Sequence, residues 1–411
     1  MKFSIITPSH KYQEYFNELY VSIINQTHTD WEWIVYLNGD FKRNQLSEEI
    51  LSDERVKIYE DYSNNNSIGH IKNKAFHLGT GDVLVEVDHD DILVETCLEE
   101  LEIAYQSPEY GFVYSDSAVY HMENKFVPHN PEYGWTYKNF EWNGKKLISM
   151  NSFDPSSHSL SYIWYAPDHV RSWRNSVYKE LGGHNKQLPI CDDHELLIRT
   201  YLKTKMFRIP KTLYIYRITG ENTYLKRNKE IQIKTKELFN QYAQRLAEHD
   251  ADENKLLKID IGGGLFPKEG YKTFDLEDAD INCDLNDGIP LPDNSVGVIN
   301  ASHIIEHLRD PIKTMREIHR VLVHGGWAFI EVPSTDGRGA WQDPTHISFW
   351  NENSFWYYTR KNQAQFIRNK TIRFQDFRLD TIWWDNNIAI TNAWLVANKE
   401  GGERLPHTLY I

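Results

Sequence analysis

The sequence predicts two α/β domains in tandem, each built on a mostly parallel sheet with helices on both faces. Strand-like apolar runs alternate with helix-like runs through the first half, and the same alternation restarts near residue 256. Between the two series lies "ENTYLKRNKEIQIKTKELFNQYAQRLAEHDADENK", polar, free of Gly and Pro, and helix-prone. The expected division is therefore 1–248, with a closing helix and linker from about 226, followed by 249–411.

In order, the first series is "FSIITPS" (strand), "YFNELYVSIINQT" (helix), "WEWIVYLNGD" (strand), "RVKIYED" (strand), "IGHIKNKAFHLGTG" (helix) and "DVLVEVDHDD" (strand into acids). Apolar strands flanked by amphipathic helices suit a sheet buried on both sides. The second series runs "LLKIDIGGG", "KTFDLED", "VGVINAS", "TMREIHRVLVHGG" and "WAFIEVPS". The two openings differ in loop chemistry, so the domains read as unrelated.

Composition narrows the class. Hydrophobic content of 40% and aromatic content of 13% are ample for packed cores, and a net charge of −14 argues against nucleic acid as a partner. Cys97, Cys191 and Cys283 are far apart and odd in number, which suggests free thiols of a reducing compartment. No apolar stretch reaches the length of a membrane span, and the opening "MKFSIITPSH" is too short in apolar residues for a signal segment. A cytoplasmic protein is expected.

In open α/β sheets ligands sit beyond the carboxyl ends of the strands. Those ends are "TPSH", "LNGD" and "VDHDD" in the first half. Asp88, Asp90 and Asp91 are three carboxylates within four positions, and hard oxygen ligands suit Mn²⁺ or Mg²⁺ with substrate phosphates. The competing reading is that they cap a helix beginning at "DDILVETCLEELEIAY". Asp192 and Asp193 precede another helix-like stretch, where an acid is stabilised as the carboxylate that a general base requires, or simply caps the helix.

Taken in order, "SIITPS", "WEWIVYLNGD", "IGHIKNKAFHLGTGDVLVEVDHDDIL", "WRNSVYKELGGHN" and "CDDHELLIRTYL" resemble the family 2 glycosyltransferases of GT-A fold, over about residues 1–225. The resemblance implies a metal at Asp88, Asp90 and Asp91 holding the diphosphate of a nucleotide-sugar donor, UDP- or dTDP-linked. It implies nucleotide contacts at Thr7, Pro8, Asn38, Lys72 and Asn73, with Asp88 shared, and an acceptor segment at Gly182-Gly183. Asp193 would be the base, with Asp192 its neighbour, for inverting transfer of a hexosyl or deoxyhexosyl group to a glycan. Many relatives carry a His after the last strand; "LYIYRITGENTY" has none, and Arg217 or Lys226 stands in its place. Trp135, Trp142, Trp164 and Trp173 suit either a sugar-stacking acceptor site or a core, and Arg171 and Arg174 either an acceptor or phosphate edge or ion pairs.

In the second half the glycine turn "IGGGLFPKEGY" fails as a dinucleotide fingerprint, since Pro267 falls where a helix should start and Asp275 comes too soon after it. The adjoining stretch, "ADINCDLNDGIPLPDNSVGVINASHIIEHLRDPIKTMREIHRVLVHGGWAFIEVPS", resembles the Rossmann-like class I S-adenosylmethionine-dependent methyltransferases. That likeness implies Asp260, Gly262 and Gly264 around the methionine, Asp275 on the ribose, Asp284 and Leu285 beside the adenine, and His303 near the methyl group. Methyl transfer to a sugar hydroxyl needs a base, and His346 is chosen, with Asp343 and His307 as neighbours. Glu306 and these histidines match no standard metal spacing. The whole reads as a bifunctional glycan-building enzyme. The rivals are a glycosyltransferase with a degenerate second domain and a carbohydrate-binding scaffold.

Overall fold

The computed structural model describes residues 1–63, 67–121, 128–129, 134–163, 166–385 and 387–402. Its chain divides into two compact units, Met1–Tyr242 and Ala243–Ile411. The division falls inside the long helix Thr223–Glu253, whose only non-helical residue is Arg227.

The first unit is organised on β1 (Phe3–Ser9), β2 (Trp31–Leu37), β3 (Val56–Glu60), β4 (Val83–Glu86), β5 (Ile92–Leu93), β6 (Tyr110–His121), β7 (Tyr137–Trp142), β8 (Lys145–Met150), β9 (Arg171–Arg174) and β10 (Lys205–Ile218). The strand order is β3-β2-β1-β4-β9-β6-β10-β5, with β8 and then β7 added beside β6. Strands β1 to β4 are mutually parallel, so their carboxyl ends share one edge, as the sequence requires. All seven residues of β2 are buried, the continuous apolar run of a strand covered on both faces. Phe16, Leu19 and Ile23 of the helix Tyr15–Ile24 supply one cover, and Phe16 stacks on Trp33.

One element departs from expectation. The helix after the acids runs Cys97–Ala104, not from Asp90, because Ile92 and Leu93 first pair with β10 as β5. The acids therefore cap no helix.

The second unit contains β11 (Leu257–Ile261), β12 (Lys272–Asp275), β13 (Ile281–Asn282), β14 (Val296–Ser302), β15 (Leu322–Pro333), β16 (Phe374–Trp383) and β17 (Ala389–Ala397). Their order is β13-β12-β11-β14-β15-β17-β16. The first five are parallel and β17 runs antiparallel between β15 and β16. A helix, Pro311–Val321, crosses from β14 to β15 and is capped by Asp310, which accepts from the N–H groups of Ile312 and Lys313. No helix joins β11 to β12, in keeping with Pro267 in that segment.

Candidate functional site

At the carboxyl edge of the first sheet three loops meet. Asp40 N–H donates to the carbonyl of His10 at 2.9 Å, and the His10 ring lies 5.5 Å from that of His89. Gly39 permits this approach, since a Cβ there would lie 2.6 Å from the His10 carbonyl oxygen.

The three acids have separate fates. Asp91 is fully buried, with one carboxylate oxygen accepting from Tyr214 Oη at 2.7 Å and the other from Arg217 N–H at 2.8 Å. Burial, then the charges of Asp90 and Asp88, push its carboxyl well above the usual range. Asp91 thus braces β10 against the acidic loop. Asp88 and Asp90 remain. Burial and the neighbouring Asp88 charge push Asp90 up to about 6, the sign of a negative pair short of a counter-charge. His89 Nε2 is buried there without a hydrogen-bond partner among the described residues. These donors fit a hard divalent cation bound through one or two carboxylates.

Arg217 reaches the cluster from β10, as the place of the missing His suggests. Its Nε donates to Asp90 O at 2.8 Å and its Nη2 to Glu18 at 2.9 Å, and only 1% of its side chain is exposed. It is therefore fixed beneath the acids. Lys226 is half-exposed and pairs with Glu221 at 2.6 Å.

Behind the acids lies a charge network centred on Glu86, the last residue of β4. Lys72 pairs with one of its oxygens, while Arg171 lies 3.8 Å from the other and bonds Asp193 at 2.7 Å. Burial opposes ionisation of Glu86, but Lys72 and Arg171 hold it down at about 2. Glu86 stands two residues before Asp88, so Arg171 links the strand-end acids to Asp193 through one charge network. Within the second pair, burial and Asp193 push Asp192 up to about 7, and its Oδ2 lacks a hydrogen-bond partner among the described residues. Burial works against Asp193 too, yet Arg171 and Lys72 hold it well below the usual carboxylate range. Its side chain is 21% exposed, against 3% for Asp192. Asp193 is the permanently charged, accessible member.

Several residues expected to contact ligands have partners within the protein. Thr7 is buried, its Oγ1 accepting from Trp33 Nε1 at 2.9 Å, so it faces the core. Lys72 is drawn inward to Glu86 and not outward to a nucleotide. Asn73 is buried, and its Nδ2 donates to Gly182 O at 2.9 Å and His184 O at 2.7 Å, clamping the glycine segment. Arg171 is buried in the network and Arg174 bonds the carbonyls of Tyr105, Ser107 and Tyr110, so neither forms an acceptor edge. Trp135 and Trp173 are buried, Trp142 packs beside Leu147, and Trp164 lies outside the described residues. Pro8 and Asn38 sit half-buried at the strand edge. Glu86 was missed by sequence reasoning, although a glutamate inside "VLVEV" is a readable signal of a buried charge.

In the second unit the expected residues stand at the carboxyl ends of adjacent parallel strands: Gly262 and Gly264 after β11, Asp275 ending β12, Asp284 and Leu285 after β13, and His303 after β14. Gly262 adopts φ +79°. Asp275 accepts from Gly264 N–H at 3.0 Å, tying the ends of β11 and β12 together, and its carboxylate is only half-buried. Asp284 accepts from Asn286 N–H at 2.9 Å, while Leu285 packs against the core. The two carboxylate oxygens of Asp260 accept from Asn300 Nδ2 at 2.7 Å and Lys268 N–H at 2.9 Å, bracing the loop. His346 Nδ1–H donates to Ala340 O at 3.0 Å, and its Nε2 lies 4.0 Å from Glu306 and 3.8 Å from Asp343.

Comparison with known proteins matches residues 4–162 to Glycosyl transferase family 2 and residues 241–330 to a methyltransferase domain. The chain joins a domain that matches the family 2 glycosyltransferases to one that matches a methyltransferase domain. An uncharacterized glycosyltransferase of Haemophilus influenzae is 24% identical over 230 residues, 54% of this chain and 66% of the relative, so just under two thirds of that protein is matched. Among solved structures, S. aureus TarS in complex with UDP is similar at 16% identity and TM-score 0.41, covering 66% of this chain and 76% of that one. The mannosyltransferase PcManGT of Pyrobaculum calidifontis, in complex with GDP-Man and Mn2+, matches at 13% identity and TM-score 0.40, over 62% and 64%. Among the described residues of this two-domain protein no helix is long and apolar enough to cross a membrane.

Proposed function

We propose that the glycosyltransferase domain transfers a hexosyl or deoxyhexosyl group from a UDP- or dTDP-linked donor to a glycan hydroxyl, with inversion and dependence on Mn²⁺ or Mg²⁺. The methyltransferase domain O-methylates a sugar hydroxyl using S-adenosylmethionine. One observation carries the first reading: Arg171 bonds the half-buried Asp193 at 2.7 Å and lies 3.8 Å from Glu86, two residues before Asp88, so the base and the strand-end acids belong to one charge network.

Asp88 and Asp90 would hold the cation, which when bound supplies positive charge for a departing diphosphate. Pro8 and Asn38 line the same strand edge for the nucleotide. Asp193, at the start of the helix Asp192–Tyr201, takes the proton of the acceptor hydroxyl as it attacks the anomeric carbon from the face opposite the leaving group. Its low basicity suits a hydroxyl that turns acidic only as the new bond forms. Arg171, held by Pro167 O at 3.0 Å, keeps that carboxylate aimed.

For the second domain, Asp275 accepts the ribose hydroxyls, the backbone around Gly262 and Gly264 leaves room for the methionine, and Asp284 and Leu285 flank the adenine. S-adenosylmethionine bound there supplies the methyl group, and His346, beside Glu306, receives the hydroxyl proton. A second reading, a methyltransferase-like domain without activity, is favoured by the helix-free passage from β11 to β12. A cytoplasmic location agrees with the three free cysteines.

The test is sugar transfer, monitored as release of the nucleotide diphosphate. EDTA abolishes it and Mn²⁺ or Mg²⁺ restores it; full activity in chelator contradicts the metal reading.

A further inference from the structure

The carboxyl end of β14 carries a second group of ligand-type side chains. Glu306, His307 and His346 each place one donor atom so that all three lie within 4.8 Å of one another. The residues are 40 positions apart at most, and the backbone brings them together: Ile347 and Ser348 N–H both donate to Glu306 O at 2.9 Å, and Ser348 Oγ donates to Ile305 O at 2.8 Å. The loop after β15 is thereby stapled to the turn Ile305–His307.

The second observation is the state of Glu306. It is 2% exposed, and both of its carboxylate oxygens are buried without a hydrogen-bond partner among the described residues. A buried carboxylate is ordinarily paired, hydrogen-bonded or bound to a metal. The nearest cation-capable atom is His303 Nδ1 at 3.5 Å, too long for a good bond and on a side chain that is 48% exposed. His303 itself adopts φ +53°, a backbone conformation rare for a side chain of its size and common at functional sites.

His346 is set up as a ligand. With its Nδ1 proton given to Ala340 O, the Nε2 lone pair faces Glu306 from 4.0 Å, and a carbonyl behind a metal-bound imidazole is the usual way its tautomer is fixed. His307 is held by Thr345, whose carbonyl oxygen lies 3.2 Å from its Nδ1.

We propose that Glu306, His307 and His346 bind a divalent transition-metal ion of the Zn²⁺ or Co²⁺ type. Two imidazoles and one carboxylate select such ions over Mg²⁺, and three protein ligands leave coordination positions for an oxygen from outside. A hydroxyl bound there loses its proton more readily than a free one. The site is an alternative to His346 as the base of the methyl-transfer reading, since an imidazole with Nε2 on a metal and Nδ1–H on Ala340 O takes no proton, and its existence does not depend on that reading.

The test uses the untagged intact chain, stripped with chelator and titrated with Co²⁺ while visible absorption is recorded. Ligand-field bands of a nitrogen-containing site are expected, displaced by Zn²⁺ and not by Mg²⁺. Glu306→Gln and the more exposed His307→Ala should each weaken Co²⁺ binding about tenfold or more. All titrations are read in the Asp90→Asn background, so that the acids of the other domain contribute no Co²⁺ band. S-adenosylmethionine titration of the same variants shows whether the second domain stands folded, and His307→Ala decides if Glu306→Gln does not. Absence of bands in the Asp90→Asn parent, or bands unchanged in both variants, overturns the proposal and leaves Glu306 as the partner of His303. Bands without any S-adenosylmethionine binding uphold the metal site and remove the methyl-transfer reading.

Discussion

Asp192 and Asp193 are chemically identical neighbours that the fold drives in opposite directions. Asp193 meets the Arg171 guanidinium and stays charged; Asp192 is buried beside that charge and holds its proton up to about 7. The difference makes a clean substitution experiment. Asp193→Asn keeps size and hydrogen bonding but accepts no proton, so turnover should fall by ~10² or more while nucleotide-sugar affinity is retained. If Asp193→Asn stays active and Asp192→Asn is dead, the roles are reversed. Asp91 shows what a single sequence conceals at this scale. It lies in the same acidic run as Asp88 and Asp90, yet Tyr214, 123 positions away, accounts for one of its oxygens. Nothing local distinguishes a brace from a ligand. Glu86, by contrast, was open to reading, since a glutamate between valines in a buried strand demands a partner.

Strands were the most legible elements, though not their order in the sheet. The parallel edge from β1 to β4 and the sheet from β11 to β15 arise from runs of apolar residues ending in polar ones. The misplaced helix start at Asp90 has a tertiary cause: "DDILVETCLEELEIAY" has helical periodicity throughout, but Ile92 and Leu93 gain more from pairing with β10. Segment anchoring was equally hidden. Asn73, on the helix Ile68–His77, holds the glycine segment through the carbonyls of Gly182 and His184. Asn73→Ala would orphan both and should cost about 1–3 kcal/mol, read as a lower denaturation midpoint. An unchanged midpoint would show that the segment is held elsewhere. In the second unit, His346 and Glu306 meet through backbone bonds between two loops, a juxtaposition that no motif spacing announces.

At the scale of the whole molecule, one chain carries two strand-edge sites, each at the carboxyl ends of its own parallel sheet. Were both units transferases as proposed, tethering would raise the effective concentration of one product at the other site. The central claim is that each unit holds its own donor. Calorimetric titration of the intact chain tests it most directly, with a nucleoside diphosphate in Mn²⁺ as one ligand and S-adenosylmethionine as the other. Two independent binding events are expected. Asp90→Asn should remove the first alone, and Asp275→Ala should weaken the second alone, by about 1–3 kcal/mol, as expected when ribose hydroxyls lose a charged acceptor. Displacement of one ligand by the other, or no heat from S-adenosylmethionine at all, would contradict it.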